Sequence, residues 1–261
     1  MNIKLVATDM DGTLLDSQKR LPKDFKKWVL DHKDIKTIIA SGRQYFTLEK
    51  DFKDIRDNLL FIAENGGLVF DQGQIIYKDA MDKDVVLECI SKIENIPRAS
   101  MLVCGAKNAY MLASSDEEVM RNASMYYERL EYVSDLRKEV EKDDIVKIAV
   151  FFPDESAEAY YHEFKNMPDV VSSVLSGVSW VDVANKTVNK GSAIEAVQKK
   201  YDISKEETMA FGDYLNDYTM LQAAGESYAM ENGHPDVKKI AKYIADTNDN
   251  DGVMKILREL N

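Results

Sequence analysis

The stretch IKLVATDMDGTLLDS, Ile3–Ser17, decides the fold of this chain. Its apolar run ends in two carboxylates, Asp9 and Asp11, which are one residue apart and are followed by Gly12. Residues i and i+2 of a strand project to the same side, so both carboxylates start toward one small volume. Like charges there repel each other, and one is driven toward protonation unless a cation lies beside it. The stretch therefore predicts a buried strand that ends at a cation site.

The composition limits the classes of function. The chain has 261 residues, of which 45% are hydrophobic, enough for one large domain or two modest ones. Its 46 acidic and 34 basic residues give a formal net charge of −12. A broad nucleic-acid or anionic-membrane surface needs an excess of Lys and Arg, so we expect neither partner. A small anionic ligand is still compatible, because a metal ion or a local basic cluster can invert the potential inside one pocket.

The cysteines and the N-terminus indicate the compartment. Cys89 and Cys104 show no C-x-x-C spacing, and the chain has only three histidines. This pattern predicts neither a zinc site nor a disulfide framework. Asp9 interrupts the only apolar run near the N-terminus, so neither a signal peptide nor a spanning helix fits. We expect a soluble, cytoplasmic protein, and the sequence leaves its oligomeric state open.

Apolar runs alternate with helical periodicity at both ends of the chain. This β-α-β alternation, with uninterrupted apolar strands, predicts a Rossmann-like α/β core whose parallel sheet is covered on both faces. The predicted strands are Ile3–Thr8, Ile35–Ser41, Leu59–Gly67, Thr208–Asp213, Ser227–Met230 and Lys242–Asp246, with helices from about Pro22 and Lys190.

The middle of the chain has a different pattern. Amphipathic helices occur among strands such as Ile145–Phe152 and Val170–Val183, and period-two alternation favours an antiparallel sheet with one covered face. We therefore predict a discontinuous core, residues 1–81 and 186–261, with an inserted α+β cap domain at 82–185.

Two further predicted strand ends also carry polar groups, and so does a helix start. Ligands of such sheets bind at the carboxyl ends of the strands, so residues from three strands and one helix should converge there. Lys190 stands at a helix start, where the helix dipole disfavours a cation, which points to a bound anion such as phosphate. Each group alone is typical of an ordinary turn or surface; their joint occurrence favours a functional site. The residues are Ser41, Gly42 and Arg43 after one strand, Asp213, Asn216 and Asp217 after another, and Lys190.

These motifs together resemble the haloacid dehalogenase superfamily. The ordered set is Asp9-x-Asp11-Gly12-Thr13, Ser41-Gly42-Arg43, Lys190-Gly191 and Gly212-Asp213-x-x-Asn216-Asp217. The size and place of the insertion, after the third strand, resemble the Cof-like branch of small phosphate-ester hydrolases. The resemblance covers essentially the whole core, whereas the cap matches in placement and general make-up only.

The resemblance implies a Mg²⁺-dependent phosphatase acting on small phosphorylated metabolites. Asp9 would be the nucleophile that forms an aspartyl-phosphate, and Asp11 the general acid and base. Mg²⁺ would bind the Asp9 carboxylate, the Asp11 main-chain carbonyl and Asp213. The other implied functions are charge balance by Lys190, substrate contacts by Ser41, Gly42, Arg43 and Asn216, and orientation of the phosphate or the metal's waters by Asp217 from outside the ligand set.

Two alternatives remain open at this level. A phosphotransferase or phosphomutase could use the same aspartyl nucleophile, and it would release little free phosphate. A non-catalytic phosphate-binding regulator could keep the fold, but it would not need the general acid Asp11. The physiological substrate is not encoded in any motif that the sequence displays.

Overall fold

The computed structural model describes residues 2–260, which form two compact units. One unit runs up to Lys78 and resumes at Asn189, and the other is Asp79–Val188. The second unit is thus inserted in the first, and its ends lie within a few residues of the predicted positions 82 and 185. Within the described residues, no helix combines the length and the apolar character needed to cross a membrane.

The first part of the discontinuous unit contains a β-hairpin that the sequence analysis did not predict. The strand predicted over Leu59–Gly67 ends at Ala63, and a hairpin follows it. Its two-residue turn, Gln72-Gly73, has positive φ at both positions, which is the geometry of a tight hairpin. The elements are β1 (Leu5–Asp9), α1 (Phe25–Asp31), β2 (Lys36–Ala40), α2 (Tyr45–Asp51), β3 (Leu59–Ala63), β4 (Leu68–Asp71) and β5 (Gln74–Lys78).

The inserted unit is built on a six-stranded sheet. Its elements are α3 (Lys83–Ile93), β6 (Ser100–Gly105), β7 (Ala109–Leu112), α4 (Glu117–Tyr126), β8 (Leu130–Val133), α5 (Leu136–Val140), β9 (Ile145–Phe151), α6 (Ala157–Tyr160), β10 (Val171–Gly177) and β11 (Trp180–Asn185). The strand order is β10-β11-β9-β6-β7-β8, antiparallel except for the parallel pair β7 and β8.

Two expectations for this unit were wrong. The single strand predicted over Val170–Val183 is a hairpin, in which Gly177 pairs with Trp180. The sheet has apolar clusters on both faces rather than one: α3, α5 and α6 pack in one cluster, and α4 packs in the other through Val119 and Ala123. The second covered face, which was not expected, explains why β9 residues are buried whichever face of the sheet they point to.

The chain then returns to the first unit and completes its sheet. The elements are α7 (Lys190–Tyr201), β12 (Thr208–Gly212), α8 (Tyr218–Gln222), β13 (Glu226–Met230), α9 (Pro235–Ile240), β14 (Tyr243–Ala245) and α10 (Gly252–Leu257). The strand order is β14-β13-β12-β1-β2-β3-β4-β5, and the six strands from β14 to β3 are parallel.

Helices cover both faces of this sheet, as predicted. One apolar cluster joins alternate strand residues such as Leu5 and Ile38 to Ile194 of α7 and to α8 and α9. On the other face, Phe61 of β3 packs against the rings of Tyr45 and Phe52. β1 lies between β12 and β2 and is buried along its whole length. Its residues are apolar up to Ala7, and the polar Thr8 and Asp9 follow at the edge of the sheet.

Candidate active site

Polar residues meet where three adjacent parallel strands end. Asp9 is the last residue of β1, Asp213 follows β12 and Ser41 follows β2. Because these strands are neighbours in the sheet and run in the same direction, their carboxyl ends lie side by side.

Three carboxylates gather at this edge. One oxygen from each of Asp9, Asp213 and Asp217 lies within 4.8 Å of the others. Asp217 is fully buried at the end of a 3₁₀ turn. Its Oδ2 accepts hydrogen bonds from the backbone N–H groups of Asp213 (2.9 Å) and Tyr214 (3.2 Å), so the loop after β12 closes around this side chain.

Lys190 is the cation of the group. It is the first residue of α7, and its side chain is fully buried. Its Nζ donates to Oδ1 of Asp9 and to Oδ1 of Asp217, each at 2.6 Å. The predicted helix start is therefore observed, but the anions that Lys190 contacts here are two carboxylates of the chain itself. Asn189 fixes that helix start, since its side chain accepts a hydrogen bond from the Ser192 N–H at 2.9 Å.

The group carries more negative than positive charge. Burial, and then repulsion by Asp217, raise the pKa of Asp9 to about 8, although Lys190 acts in the opposite direction. Burial also raises the pKa of Asp213. Burial alone would lower the pKa of Lys190, but the charges of Asp217 and Asp9 outweigh it and raise that pKa. One ammonium shared by two carboxylates cannot neutralise both, so the group favours an added proton or an added cation.

The loop after β1 is locked against Asp213. The hydroxyl of Thr13 donates to Oδ1 of Asp213 at 2.8 Å. Gly12 has a φ of +84°, and a Cβ there would lie 2.5 Å from Oδ2 of Asp213. Glycine is needed at this position both for the backbone conformation and for the space.

Asp11 is held apart from the three-carboxylate group. Nη2 of Arg43 donates to its Oδ1 at 3.0 Å and to its Oδ2 at 2.9 Å, while Nζ of Lys19 donates to Oδ1 at 2.7 Å. Burial would raise the pKa of Asp11, but the hydrogen bond from Lys19 and the charge of Arg43 outweigh it and lower that pKa. Arg43 is held in turn by Asp51, through Nη1 at 3.1 Å.

The other predicted substrate contacts lie at the same edge. Ser41 is buried, and its hydroxyl accepts a hydrogen bond from the Arg43 N–H at 3.2 Å. Gly42 lies against the side chain of Asn65, since a Cβ on Gly42 would be 2.9 Å from Nδ2 of Asn65. Asn216 is exposed, and its amide donates to Oδ1 of Asn65 at 3.2 Å.

Sequence reasoning missed two residues near this edge. Asn65 lies two residues after the end of β3, so the strand-end argument used for Asp9 and Asp213 could have found it. No sequence pattern pointed to Lys19. It lies eight residues after Asp11, and its approach to Asp11 depends on the conformation of the turn that contains it.

The sequence model of the haloacid dehalogenase-like hydrolases matches residues 6–257. The chain belongs to the haloacid dehalogenase superfamily. Its relatives and structural neighbours place it in the Cof-like branch, and it is a phosphoric monoester phosphatase of the haloacid dehalogenase-like type.

Two curated relatives span the whole chain. The 5-amino-6-(5-phospho-D-ribitylamino)uracil phosphatase YbjI of Escherichia coli (strain K12) is 33% identical over 265 residues, covering 98% of this chain and 96% of the relative. The phosphatase YwpJ of Bacillus subtilis (strain 168) is 26% identical over 285 residues, covering 99% and 100%. A solved haloacid dehalogenase-like hydrolase of B. subtilis has a TM-score of 0.79 at 26% identity, covering 99% and 100%.

Proposed function

We propose that this haloacid dehalogenase-type phosphatase is Mg²⁺-dependent and hydrolyses small phosphate monoesters through an aspartyl-phosphate on Asp9. The observation that carries the proposal is the position of the Asp9 carboxylate. It ends a buried strand, it is held by the buried Lys190 at 2.6 Å, and it shares a 4.8 Å neighbourhood with Asp213 and Asp217. A side chain placed in this way is a fixed nucleophile with charge partners around it.

The donor set suits a hard cation. The groups are oxygen donors, they are close enough to share one ion, and their charge exceeds that of Lys190. We propose that the Asp9 and Asp213 carboxylates and the Asp11 main-chain carbonyl hold Mg²⁺. Asp217, which already accepts from Lys190 and two backbone N–H groups, would orient the site from outside the ligand set. Bound Mg²⁺ would supply positive charge against the phosphoryl oxygens as their charge develops.

The residues of the chain perform the proton and bond changes. A carboxylate oxygen of Asp9 forms a bond to phosphorus while the ester P–O bond breaks, and Asp11 donates a proton to the departing alkoxide. Asp11 then takes a proton from the water that attacks the aspartyl-phosphate, which releases phosphate and restores Asp9. Ser41, Arg43 and Asn216 would contact the phosphoryl group, with Gly42 giving it room.

The substrate is proposed to be a small phosphorylated metabolite. The relatives YbjI of E. coli, and YcsE and YitU of B. subtilis, bear the name 5-amino-6-(5-phospho-D-ribitylamino)uracil phosphatase. That phosphate ester therefore belongs in the first panel of compounds, beside sugar phosphates. Phosphotransfer remains the second candidate, and an isomerised sugar phosphate without released phosphate would identify it.

The test compares phosphate release by the wild type, Asp9→Asn and Asp57→Asn, with Mg²⁺ and with EDTA. Asp57 is a control because its side chain is 83% exposed. We expect Asp9→Asn to lower kcat by about a thousandfold or more, since it removes the nucleophile, and Asp57→Asn to leave it unchanged. EDTA should stop the wild type. Equal turnover by Asp9→Asn and the wild type would refute the proposal.

A further inference from the structure

The turn that follows the loop after β1 is held together by the side chain of Asp16. Its Oδ1 accepts hydrogen bonds from the N–H groups of Gln18 (2.9 Å) and Arg20 (2.8 Å), and its Oδ2 accepts one from Nε of Arg20 at 2.7 Å. Within this turn Lys19 has a φ of +61°. Such a conformation is strained for a non-glycine residue, and residues held in it occur often at functional sites.

The turn directs Lys19 back to Asp11. Its ammonium donates to Oδ1 of Asp11 at 2.7 Å, beside the two contacts from Arg43. The Lys19 side chain is 63% exposed and that of Asp11 is 39% exposed. An ion pair this open to water contributes little to folding stability, so stability alone does not account for a lysine held in a strained turn.

We propose that Lys19 is a positioning residue for the Asp11 carboxylate. The inference rests on the proposed function, in which Asp11 moves the proton in both halves of the reaction. Arg43 reaches both oxygens of Asp11 through one nitrogen, Nη2, which leaves the carboxylate free to pivot about that point. The second contact, from Lys19 to Oδ1, removes this freedom and fixes the direction of the proton transfer.

The first experiment compares Lys19→Met with Lys23→Met. Lys23 is a matched control because it is exposed and lies four residues further along the same segment. For hydrolysis of p-nitrophenyl phosphate and a sugar phosphate with Mg²⁺, we expect Lys19→Met to lower kcat about tenfold, because a misaimed proton donor and acceptor slows the chemical steps. KM should stay within about twofold and Tm within about 2 °C, as the lost pair is exposed. Lys19→Arg should recover most of kcat, and Lys23→Met should behave as the wild type.

The second experiment repeats Lys19→Met in an Asp11→Asn background. If Lys19 acts through Asp11, the added substitution should cause no further loss, because its partner is already gone. An equal loss in both backgrounds, a higher KM with unchanged kcat, or wild-type kinetics of Lys19→Met would each overturn the proposal. These outcomes differ from a failure of the proposed function, in which Asp9→Asn would turn over substrate as fast as the wild type.

Discussion

At the scale of single residues, the centre of the site is one lysine shared between two carboxylates. Lys190 has no exposed surface, and its two ion pairs, with Asp9 and Asp217, are buried with it. A buried ion pair contributes modestly while it is complete, because desolvation offsets attraction, but removing one partner leaves an uncompensated charge. Here one cation faces two carboxyl groups, so its removal would leave buried negative charge without a cation.

Lys190→Met should therefore be strongly destabilising. We expect the free energy of unfolding to fall by about 3–5 kcal/mol, the range found when a buried pair loses one partner. Urea denaturation of the metal-free protein measures it. Lys199→Met, an exposed position on the same helix, is the control and should change the free energy by less than about 0.5 kcal/mol. Equal midpoints for the two variants would contradict the shared-lysine account.

The sequence could predict which residue types meet but not every pairing among them. The acidic residues at the ends of β1 and β12 are evident in the sequence. The parallel order of the strands therefore predicted that these carboxylates lie close together. The partner of Lys190 could not be predicted in this way. An anion was expected, but whether that anion is a phosphate or a carboxylate depends on how far the buried lysine side chain reaches. The hydrogen bond from Lys19 to Asp11 depends on the positive φ of Lys19, which no sequence pattern in that segment specified.

At the scale of elements, the close approach of α7 to the turn after β3 determines where Lys190 points. Gly66 of that turn has a φ of +109°, and a Cβ there would lie 2.2 Å from the Asn189 carbonyl oxygen. Asn189 caps α7 and directly precedes Lys190. The helix can approach the sheet this closely because residue 66 has no side chain.

Gly66→Ala should push α7 away from the sheet. We expect about 3 kcal/mol of destabilisation and a large loss of kcat, because the ammonium of Lys190 moves with the helix. Gly73→Ala is the matched control: Gly73 also has a positive φ, +76°, but its added Cβ would meet nothing nearer than the Tyr45 hydroxyl at 3.8 Å. That variant should lose about 1 kcal/mol and keep its kcat. Thermal melts and kinetics of the pair test this, and equal losses in both would refute the close-approach argument.

Elements themselves were predictable where the periodicity was simple. The alternation of buried strands and amphipathic helices predicted the parallel core, whereas the β4–β5 and β10–β11 hairpins were missed. Between β10 and β11 the apolar Val178 lies in the turn and hides the break. For β4 and β5 the Gln72-Gly73 dipeptide was an available signal, since glycine favours the positive φ of a two-residue turn.

At the scale of the whole molecule, a chain of formal net charge −12 has to bind an anionic substrate. Long-range attraction cannot come from the chain as a whole, so it has to be local. In the first unit the fixed cations near the site, Lys190, Arg43 and Lys19, are each already paired with carboxylates. A divalent cation is thus the natural source of free positive charge, which makes its competition with protons measurable.

This competition predicts how pH and Mg²⁺ jointly affect stability. The pKa of Asp9 in the metal-free fold is raised from its ordinary value of 3.8 to about 8. Between these values the folded state holds a proton that the unfolded chain has released. Raising the pH through this window therefore lowers the stability of the metal-free protein. Mg²⁺ needs the ionised carboxylate, so the rise in Tm that it causes should be larger at about pH 8 than at about pH 5.5.

Asp9→Asn separates this account from general effects of pH. Without the carboxylate, the metal-free variant should melt a few degrees above the wild type at about pH 8, because a buried excess charge is gone. Mg²⁺ should then raise its Tm far less at either pH. Asp57→Asn, at an exposed position, should follow the wild type throughout. If Mg²⁺ stabilised Asp9→Asn as much as the wild type, the ion would bind elsewhere, and the link between Asp9, its proton and the metal would be lost.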